Sequence, residues 1–117
     1  MTMTLGMVTV DCADPVALAG FWTEALGVEV VQNFEDAYLV LAPQEGTAVS
    51  VALQRVPEER AGKNRLHLDF GTQDRVGEVA RLVGLGATEL GDHSVPGLEW
   101  TVLADPEGNQ FCVGTPH

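Results

Sequence analysis

A chain of 117 residues with 45% hydrophobic and 20% charged side chains is sized for one soluble globular domain rather than a fibre or a tail. Seventeen acidic against six basic residues give a formal charge of -11, which repels nucleic acid and an anionic membrane surface alike. The longest purely apolar run, residues 37–42, falls far short of the ~20 residues a membrane-crossing helix needs. Two cysteines, Cys12 and Cys112, are too few for a disulfide framework and read as reduced thiols. With no basic stretch of an export signal at the N-terminus, a cytoplasmic location is expected.

Residues 5–10 alternate as a strand does and lead to Asp14-Pro15, an N-cap acid followed by proline at the first helical position. Leu18, Phe21, Trp22, Ala25 and Leu26 then form one helical apolar stripe, and Gly27 supplies a left-handed stop. Residues 28–31, 37–41 and 49–53 read as three strands, separated by Asn33-Phe34-Glu35-Asp36 and by Pro43-Gln44-Glu45-Gly46. Residues 56–65 lose apolar periodicity and become dense in charge, as a surface connector does.

Beyond the connector, residues 66–70 alternate as a strand, and Val76, Val79, Ala80 and Val83 form a second helical stripe that stops at Gly86. Residues 87–90, 98–103 and 110–113 supply three more short strands. The order βαβββ therefore occurs twice, and the expected class is α+β: one domain over residues 1–117, with module one at 5–55, the connector at 56–65 and module two at 66–115. Setting Asp14 against Asp74 gives an offset of sixty, which pairs Met7 with His67 and Thr9 with Asp69. In the last strands Leu53-Gln54 matches Phe111-Cys112 at an offset of fifty-eight, with turn deletions taking up the drift.

Several of these segments carry a resemblance: the strand before Asp14-Pro15, Phe21-Trp22 with Leu26-Gly27, the run from Lys63 through Asn64 to Asp69, and Asp105-Pro106-Glu107-Gly108-Asn109 before a closing strand. Together they resemble the glyoxalase-like branch of the vicinal oxygen chelate superfamily, over nearly the whole chain. The resemblance implies two tandem βαβββ modules whose sheets curl into a cleft, a small organic ligand, and a homodimer. It also implies four ligand positions, one on the first and one on the fourth strand of each module, which here hold Met7, Gln54, His67 and Cys112. A hard divalent ion depends on oxygen ligands, and these four positions offer no carboxylate. No cofactor and no metal are therefore expected, and glyoxalase I chemistry, which needs a metal-bound glutamate, is disfavoured.

Strand parity places His67 with Asp69 on the face opposite Leu66, Leu68 and Phe70, so His67 is the candidate acid or base. Met7, Thr9, Gln54, His67, Asp69, Trp100 and Cys112 are the candidate ligand-binding residues, Trp100 because aromatic and apolar groups line ligand pockets. The expected function is binding of a small molecule in the manner of bleomycin resistance proteins. The alternative is a lyase, isomerase or oxygenase that uses His67. His93, in the turn-like Gly91-Asp92-His93-Ser94, and His117 at the terminus are expected to be solvated. Phe21 and Trp22 are expected to be core, and Asp105 to Asn109 a structural turn with Gly108 at positive φ. Arg55, Arg60, Lys63 and Arg65 cluster near the connector, where they face solvent, guide an anionic small molecule or contact an acidic face of a second subunit.

Overall fold

The computed structural model describes residues 3–62, Asn64 and residues 66–115. The chain divides into two compact units, the first ending at Arg60 and the second beginning at Ala61. In the first unit, Met7–Cys12 forms β1, Pro15–Leu26 forms α1, and Val30–Phe34, Tyr38–Leu41 and Ser50–Arg55 form β2, β3 and β4. They make one sheet in the order β1-β4-β3-β2, with β1 parallel to β4 and the other pairs antiparallel. A parallel pair cannot be closed by a tight turn, and α1 with the β2–β3 hairpin provides the long crossover.

Asp14 starts α1 by accepting a hydrogen bond from the Ala17 amide at 3.2 Å, and Gly27 ends it at φ 68°, a left-handed backbone that residues bearing a β-carbon resist. The helix packs on β3 and β4, where Leu18, Phe21 and Trp22 join Leu39, Leu41 and Leu53 in the core. Between β2 and β3 the reversal is tighter than the four residues expected from sequence. Three residues, Glu35 to Ala37, make the turn: Glu35 and Asp36 have φ of 55° and 59°, the central pair of a type I′ turn, and the Ala37 amide donates to the Phe34 carbonyl at 3.0 Å. Asn33 stays in the strand and braces the turn, donating to Asp36 Oδ1 at 2.7 Å and accepting from the Asp36 amide at 2.8 Å.

The second unit repeats the plan, with Leu68–Gly71 as β5, Arg75–Leu85 as α2, and Thr88–Val95, Leu98–Ala104 and Gln110–Gly114 as β6, β7 and β8. Its sheet runs β5-β8-β7-β6, again with the first and last strands parallel. Two expectations are corrected here. Strand β6 continues through Gly91-Asp92-His93-Ser94, so His93 is a strand residue and not a turn residue. The chain reverses instead at Pro96-Gly97, where Gly97 has φ 85°, the pairing a type II turn favours, and a register shift beside Gly91 absorbs the glycine.

Helix α2 is rotated relative to its predicted stripe: Val79 and Leu82 are buried, whereas Val76 is 71% and Val83 44% exposed. Arg75 supplies the reason. From the first turn of α2 its guanidinium donates to the fully buried Thr101 hydroxyl at 2.7 Å and reaches Asp92 at 3.4 Å and Glu99 at 3.3 Å. Thr101 in turn donates to Asp92 at 2.6 Å, so every polar group of the cluster is satisfied. The cluster turns positions 75, 79 and 82 toward the sheet.

Between β7 and β8 the chain makes the turn expected at residues 105–109. Buried Asp105 accepts from the amides of Glu107 at 2.9 Å and Asn109 at 3.0 Å and from the Asn109 side chain, while Gly108 adopts φ 91°. Asp105→Ala leaves these donors without an acceptor and is expected to lower the unfolding free energy by about 1–3 kcal/mol, read from urea denaturation.

Candidate functional site

Each sheet buries one face against its helix and sends alternate residues to the other. In the second unit Leu103, Phe111 and Val113 take the buried side. On the opposite face the pairing aligns Asp69, Cys112, Val102 and Gly91 in one row, and Gly71, Gly114, Trp100 and His93 in the next. A cavity of about 390 Å³ opens here, lined among others by His67, Asp69, Trp100, Val102, Cys112 and Gly114, all from the second unit.

Its polar end is a three-residue cluster. His67 Nδ1 lies 3.1 Å from Asp69 Oδ1, both side chains half-exposed, and Cys112 Sγ lies 3.9 Å from the same nitrogen. An ionised carboxylate only accepts, so Nδ1 donates and the lone pair of His67 sits on Nε2. Burial, then the hydrogen bond to Asp69 and its negative charge, push the Cys112 thiol up to about 11. The thiol therefore keeps its proton at neutral pH and is a poor nucleophile.

The apolar end depends on a close approach. Gly114 lies opposite Trp100, and a β-carbon on Gly114 would stand 2.9 Å from the Glu99 carbonyl oxygen and 3.1 Å from Trp100 Cβ. Only glycine lets β8 run this near the base of the indole.

The first-unit candidates lie on the corresponding face of the first sheet. The Tyr38 hydroxyl donates to Met7 Sδ at 3.2 Å and lies 3.3 Å from Thr9 Oγ1, tying the two together. Gln54 needs a correction of position. Thr9 pairs with Ala52 as Asp69 pairs with Cys112, so the offset of sixty that relates the first strands also relates the fourth, and Ala52, not Gln54, is the counterpart of Cys112. Gln54 sits one row further along, opposite Asp11 and Tyr38. The same register makes Tyr38 the counterpart of Trp100 and Phe34 that of His93. Sequence reasoning missed both pairings. Arg55 of the basic cluster donates to the Asp36 carbonyl at 3.0 Å, while Lys63, Arg65 and His117 lie outside the described residues.

The donor set limits which metal the site suits. Ala52 and Met7 bring neither oxygen nor nitrogen to the family's first-module positions, so a hard ion such as Mg²⁺ or Mn²⁺ does not fit the four positions. The four positions hold no carboxylate, but Asp69, which strand parity places on the same face as His67, brings one beside them. The ligand atoms of His67, Asp69 and Cys112 all lie within 4.8 Å of one another, a mixed nitrogen, oxygen and sulfur set that suits a borderline ion such as Zn²⁺. As they stand, the carboxylate is taken up by the imidazole and the thiol, and an ion would have to displace the thiol proton.

The glyoxalase-like domain family matches residues 7–114. The chain belongs to that family. A glyoxalase/bleomycin resistance protein/dioxygenase family enzyme from Burkholderia phytofirmans PsJN is 19% identical, with a TM-score of 0.78 over 98% of this chain and 100% of its own. A glyoxalase-related enzyme from Fulvimarina pelagi is 18% identical, with a TM-score of 0.74 over 98% of this chain and 88% of its own. The oxidase ChaP-H2 is 20% identical, with a TM-score of 0.73 over 100% of this chain and 96% of its own. At these identities the likeness of this glyoxalase-like domain to them is one of fold. Comparison with curated proteins finds no match. Among the described residues, no helix is long and apolar enough to cross a membrane.

Two outcomes test this geometry. Gly114→Ala forces β8 from β7 and is expected to cost about 1–3 kcal/mol of stability in thermal unfolding while shifting the near-ultraviolet circular dichroism of Trp100. Iodoacetamide is expected to alkylate Cys112 slowly until the pH approaches about 11, as followed by peptide mass spectrometry. In Asp69→Asn the repelling charge is gone and only a neutral amide oxygen is left to accept from the thiol, so the thiol titrates lower and alkylation on the alkaline side of neutrality speeds up.

Proposed function

We propose that the second unit's cavity binds a small, flat, largely apolar organic molecule, seated against Trp100 and read at one polar group by His67 and Asp69, with the Cys112 thiol protonated and without a bound divalent metal. One observation carries the reading: a cavity of about 390 Å³, within the usual range for small-molecule sites, has apolar walls and a single polar end. Nε2 of His67 and the Asp69 carboxylate both accept hydrogen bonds, which favours a ligand presenting a hydroxyl or amine donor. The neutral thiol of Cys112 adds bulk and no charge. This is binding or sequestration of the bleomycin-resistance type, and the homodimer implied by the resemblance belongs to the same reading.

A fluorescence titration with a panel of aromatic alcohols and amines tests it, with Trp100 as reporter. Saturable one-to-one binding is expected, its signal falling sharply in Trp100→Phe and its affinity weakening about 2–10-fold in His67→Gln through loss of one hydrogen bond. Metal analysis of protein purified without chelator supplies the other arm. Stoichiometric Mn²⁺, Fe²⁺ or Zn²⁺, or a panel without a single binder, would sink the proposal.

A second reading, proton transfer by His67 in a lyase or isomerase, is favoured by the hydrogen bond from His67 to Asp69. A carboxylate on Nδ1 holds the ring and leaves Nε2 as the basic atom, the arrangement general-base catalysis uses. Turnover of aldehyde–thiol adducts that vanishes in His67→Gln selects this reading over simple binding.

A further inference from the structure

We infer that His93 is a positioning residue that fixes the Trp100 indole as a wall of the cavity, an inference that rests on the ligand reading above for its consequence. The two residues face each other across β6 and β7, and their rings stack at 5.5 Å between centroids and 23° between planes. The ring pairs Phe21–Trp22, Phe34–Tyr38 and Phe70–Phe111 meet edge to face, so this one is nearly parallel where those three are not. Trp100 lines the cavity and His93 does not, which puts the imidazole behind the wall rather than in the site.

The row to which Trp100 belongs explains why a support is needed there. On its other side the neighbours across the sheet are Gly114 and then Gly71, neither with a side chain to hold an indole. His93 is the one neighbouring side chain in that row. The first unit has Phe34 against Tyr38 at the same two positions, so an aromatic pair is the common device and the second unit carries it with an imidazole.

An imidazole differs from phenyl in that it takes a proton, and a cation over an indole face is held by the ring's quadrupole. The groups around His93 leave that effect to the stack. Asp92 and Glu99 turn to Arg75 on the helix side, and Glu89 pairs with Leu103, a residue of that same side. On its own face Gly91, Val95, Leu98, Trp100 and Val102 are uncharged, and among the described residues the titratable groups there, Cys112, Asp69 and His67, lie on β8 and beyond it. Protonation of His93 is thus read by Trp100.

The test needs no known ligand in its first arm. Tryptophan emission is followed between about pH 5 and pH 8, the span over which histidine usually charges, in the wild type, His93→Phe, His93→Ser and His67→Gln. Trp22, 2% exposed, contributes equally to all four. Acidification is expected to quench emission in the wild type and in His67→Gln and not in either His93 variant, while His93→Phe keeps and His93→Ser loses the near-ultraviolet dichroism of a fixed indole. In the second arm 2-naphthol serves as the probe. His93→Phe is expected to bind it within about two-fold of wild type and His93→Ser about five-fold more weakly. An unchanged pH response in His93→Phe, or wild-type dichroism in His93→Ser, overturns the inference. Absence of naphthol binding in the wild type overturns the ligand reading instead, and the spectra still decide the role of His93.

Discussion

The parallel pairing of β5 with β8 sets Asp69 opposite Cys112, and the chemistry of the second unit follows from that register. The carboxylate accepts from the thiol beside it and from the imidazole two residues earlier, so one residue decides both where the Cys112 proton stays and which nitrogen of His67 is basic. A slip of one residue would send Asp69 into the helix-facing core and bring Leu68 out. What forbids the slip is packing on the far side, where Phe111, Val113 and Leu103 are buried. The core thus fixes the register of the site, and Phe111 also reaches the lining of the cavity.

The two units show how one scaffold carries unequal chemistry. Their rows correspond residue by residue: Thr9, Ala52 and Val40 in the first stand where Asp69, Cys112 and Val102 stand in the second. The first unit answers with a tyrosine hydroxyl bonded to a thioether and a threonine, a set without imidazole, carboxylate or thiol. The second gathers an imidazole, a carboxylate and a thiol. Since the glyoxalase-like fold hosts many activities, this inequality says more about the chain than the fold does.

Much of the architecture was readable from local signals. Asp-Pro and glycine marked the first helix, the doubled βαβββ order followed from periodicity, and the turn at Asp105 followed from its composition. Features set by neighbouring strands were not readable. A displacement of two residues preserves parity, so no alternation pattern could tell Ala52 from Gln54 as the partner position of Cys112. Gly91-Asp92-His93-Ser94 has the composition of a turn, but Pro96-Gly97 reverses the chain better, and a bulge lets the strand run on. The face of α2 was misjudged because Arg75, a residue outside any apolar stripe, is what anchors it. His67 and Asp69, with α-carbons ~7 Å apart along a strand, join only because their side chains lean together.

Charge narrows what the proposed ligand can be. The chain carries a formal -11, yet on the far side of the second sheet Arg75 engages Asp92 and Glu99, which removes their field from the helix interface. Among the described residues Asp69 is the sole acid that lines the cavity, and no lysine or arginine lines it. An anion entering would meet that half-exposed carboxylate at the polar end, and like charges repel. Because Asp69 already accepts from His67 and Cys112, a full cation is not required to balance it. For the proposed ligand this favours a neutral molecule with one donor group, flat enough to lie along the indole, over a carboxylate or a phosphate.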